Sequence, residues 1–255
     1  MNNISENEFL ERYSRQIKLP HVGLEGQQKI QDASVLIVGM GGLGSPVAMY
    51  LAAAGVGHLS IADFDVVEAS NLQRQIAHRH ADIGLLKTES AEATLKAINP
   101  DIQINRHDFT LETAEINTLA REHTLLCDCT DNFPTRFQLN NASLASKTPL
   151  VSGAAIRWEG QVTAFNPNVP NSPCYQCLYP DQDVEAASCA AEGVISPLVG
   201  VIGAMQALEV INILIGHGQL HGAVWLFDAR FMEWQKMVLP KNSNCPACGS
   251  GVKEY

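Results

Sequence analysis

Basic residues are scarce. Lysine and arginine number 17 against 27 acidic residues, a formal net charge of −10. A protein that works by gripping phosphate backbones carries a basic surplus, so nucleic acid is not expected as the main partner, although a local basic pocket stays open. The first residues, MNNISENEFL, lack the cationic start of a secretory leader, which sets the expectation of a cytoplasmic protein. Internal repeats and low-complexity tracts are also missing. Only one apolar run, Val194 to Ile215, is long enough to cross a bilayer. It carries Pro197, Gln206, Glu209 and Asn212, and a glutamate in mid-span is costly in lipid. We read it as a helix buried in the core or at a subunit interface, with no membrane partner.

What is present points first to metal. The seven cysteines are an odd number, and four of them stand as two C-x-x-C pairs, Cys174/Cys177 and Cys245/Cys248. Without a leader, that pattern fits metal ligation in a reducing compartment rather than disulfides. Each pair sets two thiolates about one metal apart, and two pairs complete a tetrahedron with no ligand position left open. A structural zinc is therefore expected, tying the tail back to the loop after the sixth strand. A redox role needs a C-x-x-C at a helix start, and neither pair reads as lying at one. Cys127 and Cys129 read as core residues. Cys189, in the polar loop DQDVEAASCAAEG, is either a nucleophile or an incidental thiol.

The chain is organised around Ser34 to Asp65. Val35 to Val38 form an all-apolar run, as in a parallel strand covered on both faces. Gly39, Gly41 and Gly44 then fit G-x-G-x-x-G at a strand-to-helix junction. Such glycines admit an anion close to the backbone, and the helix start supplies free N–H groups. Asp63, at the end of the next strand, sits where an acidic group meets ribose hydroxyls. This half binds a nucleotide; the glycines alone do not say which.

Helical pattern with breaks at Pro20 and Gly23 spans Glu6 to Gln31. After Asp63, the loop holding Ser70, Asn71, Gln73, Arg74 and Gln75 crowds polar groups at the carboxyl ends of the strands. Lys87 falls in the first turn of a helix predicted over Leu85 to Ile98, against the helix dipole, and needs an anion to justify it. Asp101–His107 and His123–Asn132 read as the third and fourth strands, with Asp131 on the ligand side. A helix over Asn132–Ser146 and a fifth strand at TPLVSGA come next. From Gln161 onward, QVTAF, AVWLF and EWQKMVL read as antiparallel additions to the same sheet. The histidines form no ligand set.

Taken together, RYSRQI, GMGGLG, DFD followed by SNLQRQ, a lysine opening the next helix, DCTDN, SGAAIRWEGQ and the paired C-x-x-C resemble the MoeB/ThiF/HesA family, relatives of the ubiquitin-activating enzymes. The resemblance covers nearly the whole chain. It implies one domain over 1–255 with a Rossmann-like, mostly parallel sheet extended by C-terminal antiparallel strands. Residues 1–155 form its nucleotide-binding half, and 156–255 carry the added strands, the zinc knuckle and the carrier-binding surface.

The implied activity is ATP-dependent adenylation of the C-terminal glycine carboxylate of a small ubiquitin-like sulfur carrier ending in Gly-Gly. By that resemblance, Gly39, Gly41, Gly42 and Gly44 approach the nucleotide, and Asp63 holds the ribose with Asp65 nearby. Ser70, Asn71, Leu72, Gln73, Arg74 and Lys87 lie along the phosphates. Asp131 holds magnesium beside Asn132, and Arg15 reaches the triphosphate of a second copy in a homodimer. Leu86 stands where the family often has proline. No sulfurtransferase segment follows the knuckle, so sulfur comes from a separate donor protein.

SGAAIRWEGQ looks MoeB-like, pointing to a MoaD-type carrier in molybdopterin synthesis. The YPDQD loop and the tail look ThiF-like, pointing to a ThiS-type carrier in thiazole synthesis. The former is slightly favoured. An NAD(P)-dependent oxidoreductase or a non-catalytic nucleotide-binding scaffold is the alternative class, and Arg74, Lys87 and Asp131 argue against both.

Overall fold

The computed structural model describes residues 5–180 and 192–249. Cys189 lies outside them. One eight-stranded sheet, in the order β3-β2-β1-β4-β5-β6-β7-β8, runs through both halves of the chain. Its strands are β1 (Ser34–Val38), β2 (His58–Ala62), β3 (Gln103–His107), β4 (Leu125–Asp128), β5 (Leu150–Ile156), β6 (Glu159–Phe165), β7 (Ala223–Asp228) and β8 (Glu233–Val238). β1 to β5 are parallel, and β6, β7 and β8 add antiparallel. The chain leaves β1 toward β2 and β3, then returns to place β4 on the other side of β1. That switch point is where an open sheet of this kind takes its ligand.

Three helices precede the sheet: α1 (Glu6–Arg12), α2 (Ser14–Ile17) and α3 (Gly23–Asp32). α1 is closed at its start by a capping box between Ser5 and Glu8, and Tyr13 separates it from α2, a break that no proline or glycine marks in the sequence. α4 (Gly44–Ala54) follows the glycine turn. Its small side chains let it sit deep against the sheet: Ala48, Leu51 and Ala52 are fully buried. The later helices are α5 (Lys87–Ile98), α6 (Thr113–Glu122), α7 (Phe133–Ser146), the single turn α8 (Tyr175–Leu178) and α9 (Ser196–Leu214).

α9 is the apolar run, and it is long and apolar enough to cross a membrane by composition. Its polar residues are used inside the protein. Buried Gln206 donates to the Asp128 carbonyl at 2.7 Å, and buried Glu209 accepts the N–H groups of Gln219 and Leu220. α9 packs on α4 and across β5 and β6, so it joins the two kinds of sheet.

Candidate active site

The carboxyl ends of β1, β2 and β4 open into a cleft of about 880 Å³. Its floor is the glycine turn. Gly39 has φ +94°, and a Cβ there would lie 2.7 Å from the Cys129 carbonyl oxygen. A Cβ on Gly44 would fall 1.9 Å from the Gly39 carbonyl oxygen, so these two glycines close the turn itself. Gly41 is different: a Cβ would meet only the Gln75 amide, at 3.6 Å. Internal packing does not demand glycine there, and its open side faces the cleft.

Asp63, just past β2, accepts the Met40 N–H at 2.8 Å and the Asp65 N–H at 2.9 Å. Burial raises its carboxyl pKa, with Lys87 and the two N–H groups pulling the other way. The Lys87 side chain is 8% exposed, and its ammonium lies 2.7 Å from Asp65 and 3.9 Å from Asp63. The anion that the lysine needed at the start of α5 is therefore this carboxylate pair. Leu86, in place of proline, has φ −59°, an angle proline itself would impose, so the entry to α5 is unchanged by the departure.

The loop after β2 forms the near wall. Asn71 is buried and accepts the Glu68 N–H, ending a 3-10 turn over Ala69–Asn71. Arg74 folds back to the Ser70 carbonyl at 3.1 Å and borders the cleft with Asn71 and Gln75. Ser70, Leu72, Gln73 and Gly44 do not line the cleft. Instead, the Gln73 carbonyl takes the Ser196 hydroxyl at the start of α9. Gln75, to which no nucleotide contact was assigned from sequence, is buried with its Oε1 unpartnered among the described residues.

The far wall starts at β4. Asp131 is exposed at the cleft edge with no ion-pair partner among the described residues, and Asn132 caps α7 by accepting the Thr135 N–H. Beneath them, buried Asp128 accepts Ser152 and Thr130 and pairs with Arg136 at 3.8 Å. Phe109, Phe133, Glu159, Gln161, Tyr179 and Asp228 complete the wall from the segment after β3, from α7 and from the antiparallel half. Glu159 and Gln161 fall within SGAAIRWEGQ and Tyr179 opens YPDQD, although no site role was assigned to them; Phe109, Phe133 and Asp228 lie outside every motif, because they come from separate stretches of the chain.

Arg15 is not in this cleft. It lies on α2 and borders a separate hollow with Arg12, Tyr50, Ala204 and Leu208, where Tyr50 and Leu208 are more than half exposed.

The four knuckle cysteines converge, with every Sγ within 4.8 Å of the others. Cys174–Cys245 and Cys177–Cys248 stand 3.6 and 3.5 Å apart. A zinc with Zn–S bonds of about 2.3 Å sets its sulfurs roughly 3.8 Å apart, so the set fits. Burial pushes the Cys174 thiol up to about 12, and a cation is what would ionise it. One expectation is corrected: Cys174 is the N-cap of α8, so the first pair does open a helix. It is a single turn, and its thiols face the second pair, which favours metal over redox chemistry.

The class is therefore a Rossmann-like nucleotide-binding protein with a four-cysteine knuckle. The ThiF family profile matches residues 13–247, and the chain belongs to the ThiF family. It is 46% identical over 250 residues to the molybdopterin-synthase adenylyltransferase of Escherichia coli (strain K12), covering 98% of this chain and all of that one. It is 42% identical to the sulfur carrier protein ThiS adenylyltransferase of the same organism, over 96% of this chain and 97% of that one. Escherichia coli MccB solved with ATP shares the fold, with a TM-score of 0.80 at 20% identity over 97% of this chain and 82% of that one.

Proposed function

We propose that this protein is an adenylyltransferase that activates the C-terminal glycine carboxylate of a small sulfur-carrier protein, with a MoaD-type carrier favoured. A carboxylate oxygen of the carrier attacks the α-phosphorus of ATP. A mixed anhydride bond forms, the bond to the bridging oxygen breaks, and pyrophosphate leaves. Such a step needs charge neutralisation and alignment more than a protein base. The cleft residues supply both. The Gly41 and Gly42 backbone lets phosphate come close, Lys87 and Arg74 offset its charge, and Asp63 holds the ribose. Asp131 would hold magnesium, which screens the phosphate charge when bound. The observation that carries this reading is the buried Lys87 ammonium at the cleft floor beside the open glycine turn. A nicotinamide site shares the turn and has no use for that cation.

The identity to the molybdopterin-synthase enzyme across its whole length supports the MoaD-type carrier over the ThiS type. Arg15 lies outside its own cleft and would serve the cleft of a second copy, so the working form is a homodimer.

Carrier-dependent ATP–pyrophosphate exchange tests the reading. Lys87→Ala and Asp131→Ala should each lower it by about 100-fold or more while the protein stays folded, because each removes a group acting on phosphate charge. Exchange surviving both substitutions would refute the assignment.

A further inference from the structure

His78 is buried, lies outside every motif, and uses both ring nitrogens. Nε2 is 3.0 Å from the Met40 carbonyl oxygen, so it must carry a proton and donate it. Nδ1 is 2.9 Å from the Ser90 hydroxyl, on the helix that Lys87 opens. The Ser90 hydroxyl also reaches Asp82, at 2.6 Å. Its single proton is donated to Asp82, so Nδ1 competes for that proton when the ring is neutral and donates to the hydroxyl oxygen when the ring is charged. In both states the bond from Nε2 to Met40 persists.

Met40 is the fully buried residue between Gly39 and Gly41. Its N–H is held by Asp63 and its carbonyl by His78, so both of its backbone groups are pinned. In a trans peptide the carbonyl and the following N–H point opposite ways. Turning the Met40 carbonyl inward to His78 therefore turns the Gly41 N–H outward. Gly41 lines the cleft, and its N–H has no acceptor among the described residues. Successive free N–H groups at such a turn are what an anion binds.

Resting on the adenylation reading for the identity of the anion, we infer that His78 is a positioning residue for nucleotide phosphate. It fixes the Met40–Gly41 peptide so that the Gly41 N–H faces the cleft, and it ties that turn through Ser90 to the helix of Lys87. The glycine turn and the helix of the lysine come from segments almost fifty residues apart, and His78 bonds to both, at Met40 and at Ser90. The charged groups around the ring are Lys87, Asp63 and Asp82, and burial holds the imidazole below its ordinary pKa.

Two near-isosteric amides separate the contacts. In His78→Gln the amide nitrogen can occupy the place of Nε2 and keep the Met40 bond. In His78→Asn the shorter amide can reach only the Ser90 side. Magnesium-ATP binding to the full protein is measured by calorimetry without carrier, beside KM and kcat for exchange. His78→Asn should weaken ATP about tenfold, as expected for one lost buried hydrogen bond. The loss should appear in KM for ATP and not in kcat or in KM for the carrier, and His78→Gln should stay within about threefold of the parent. Equal weakening by both amides, no weakening by His78→Asn in folded protein, or a loss confined to kcat would overturn the inference. Because the Kd is read without carrier, the contrast between variants stands even if the parent binds ATP but fails to exchange pyrophosphate. That last result would overturn the adenylation reading alone.

Discussion

β4 and β8 belong to one sheet and are held in different ways. Every residue of β4 is buried, and every residue of β8 is exposed. β4 is hydrogen-bonded on both edges, to β1 and β5, and its end can support the buried Asp128–Arg136 pair beneath the cleft. Among the described residues β8 is bonded on one edge, to β7, and its Trp234 stacks on Phe227 at 4.4 Å. The chain beyond β8 is held instead by thiols: Cys245 and Cys248 meet Cys174 and Cys177. The nucleotide floor is thus built by burial, whereas the chain beyond the outer strands ends in a four-cysteine cluster that fits a metal and is remote in sequence from that floor.

Removing the fastening puts this contrast under the heaviest load. Cys174→Ser replaces a buried thiol and should abolish the single zinc per chain. Metal binding at a closed four-thiolate site is folding energy on the order of 10 kcal/mol in small systems. Here part of that should be lost, lowering Tm by roughly 10 °C at about 2–4 °C per kcal/mol for a chain of this size. Hydrogen exchange should accelerate in β7, β8 and the tail, with ATP affinity kept within about threefold. Metal analysis that finds no zinc in the parent, prepared without chelator, refutes the site. Nucleotide binding lost together with the tail refutes the separation of the two regions.

A second, smaller effect is expected on the buried side. Asp63 has a raised pKa, chiefly through burial. A group raised in the folded state stabilises fully below its unfolded value, near 3.8, and that stabilisation is lost as pH rises through the folded value. At neutral pH the ionised carboxylate is thus a net cost to the fold. Asp63→Asn removes that cost, keeps an acceptor for the Met40 N–H at the expense of the exposed Asp65 N–H, and leaves Lys87 its closer partner Asp65. The variant should be as stable as the parent or more so at pH 7, the difference shrinking toward pH 4, while ATP affinity falls. Thermal melts across that range decide. A variant that is destabilised at pH 7 would mean that Asp63 is structural rather than held at a cost for ligand.

Much of this was legible in the sequence where neighbours in the chain are neighbours in space. Val35 to Val38, the glycines and Asp63 lie on one strand–turn–helix–strand unit, so period and spacing were enough. The four cysteines were legible because their chemistry is narrow. Legibility ended where a partner is remote. Lys87 meets Asp65 across 22 residues, and His78 meets Met40 across 38. Neither contact leaves a local pattern. EWQKMVL reads as a strand, but nothing in it says that the strand is bare on both faces. That property comes from its place at the end of the sheet, which only the tertiary arrangement fixes. The helix start at Cys174 was missed because one turn is too short to carry a period.

The smallest effect is expected at Cys189, the cysteine outside both C-x-x-C pairs and the C-D-C of the fourth strand. The chemistry proposed above uses a carboxylate of the carrier as nucleophile, and no step of anhydride formation needs a thiol. A thiol becomes useful only afterwards, when the acyl-adenylate is open to sulfur attack, releasing AMP and leaving a thioester. The acidic neighbours Glu185 and Glu192 set the expectation of a poorly ionised thiol. Glu192 itself is engaged by Arg157, whose Nε lies 2.9 Å from its carboxylate. Cys189→Ala should hold pyrophosphate exchange within about twofold of the parent. Any loss should appear only in the subsequent transfer of sulfur, read by mass spectrometry of the carrier–enzyme mixture under non-reducing conditions. Exchange abolished in a folded Cys189→Ala protein would place the thiol in the adenylation step.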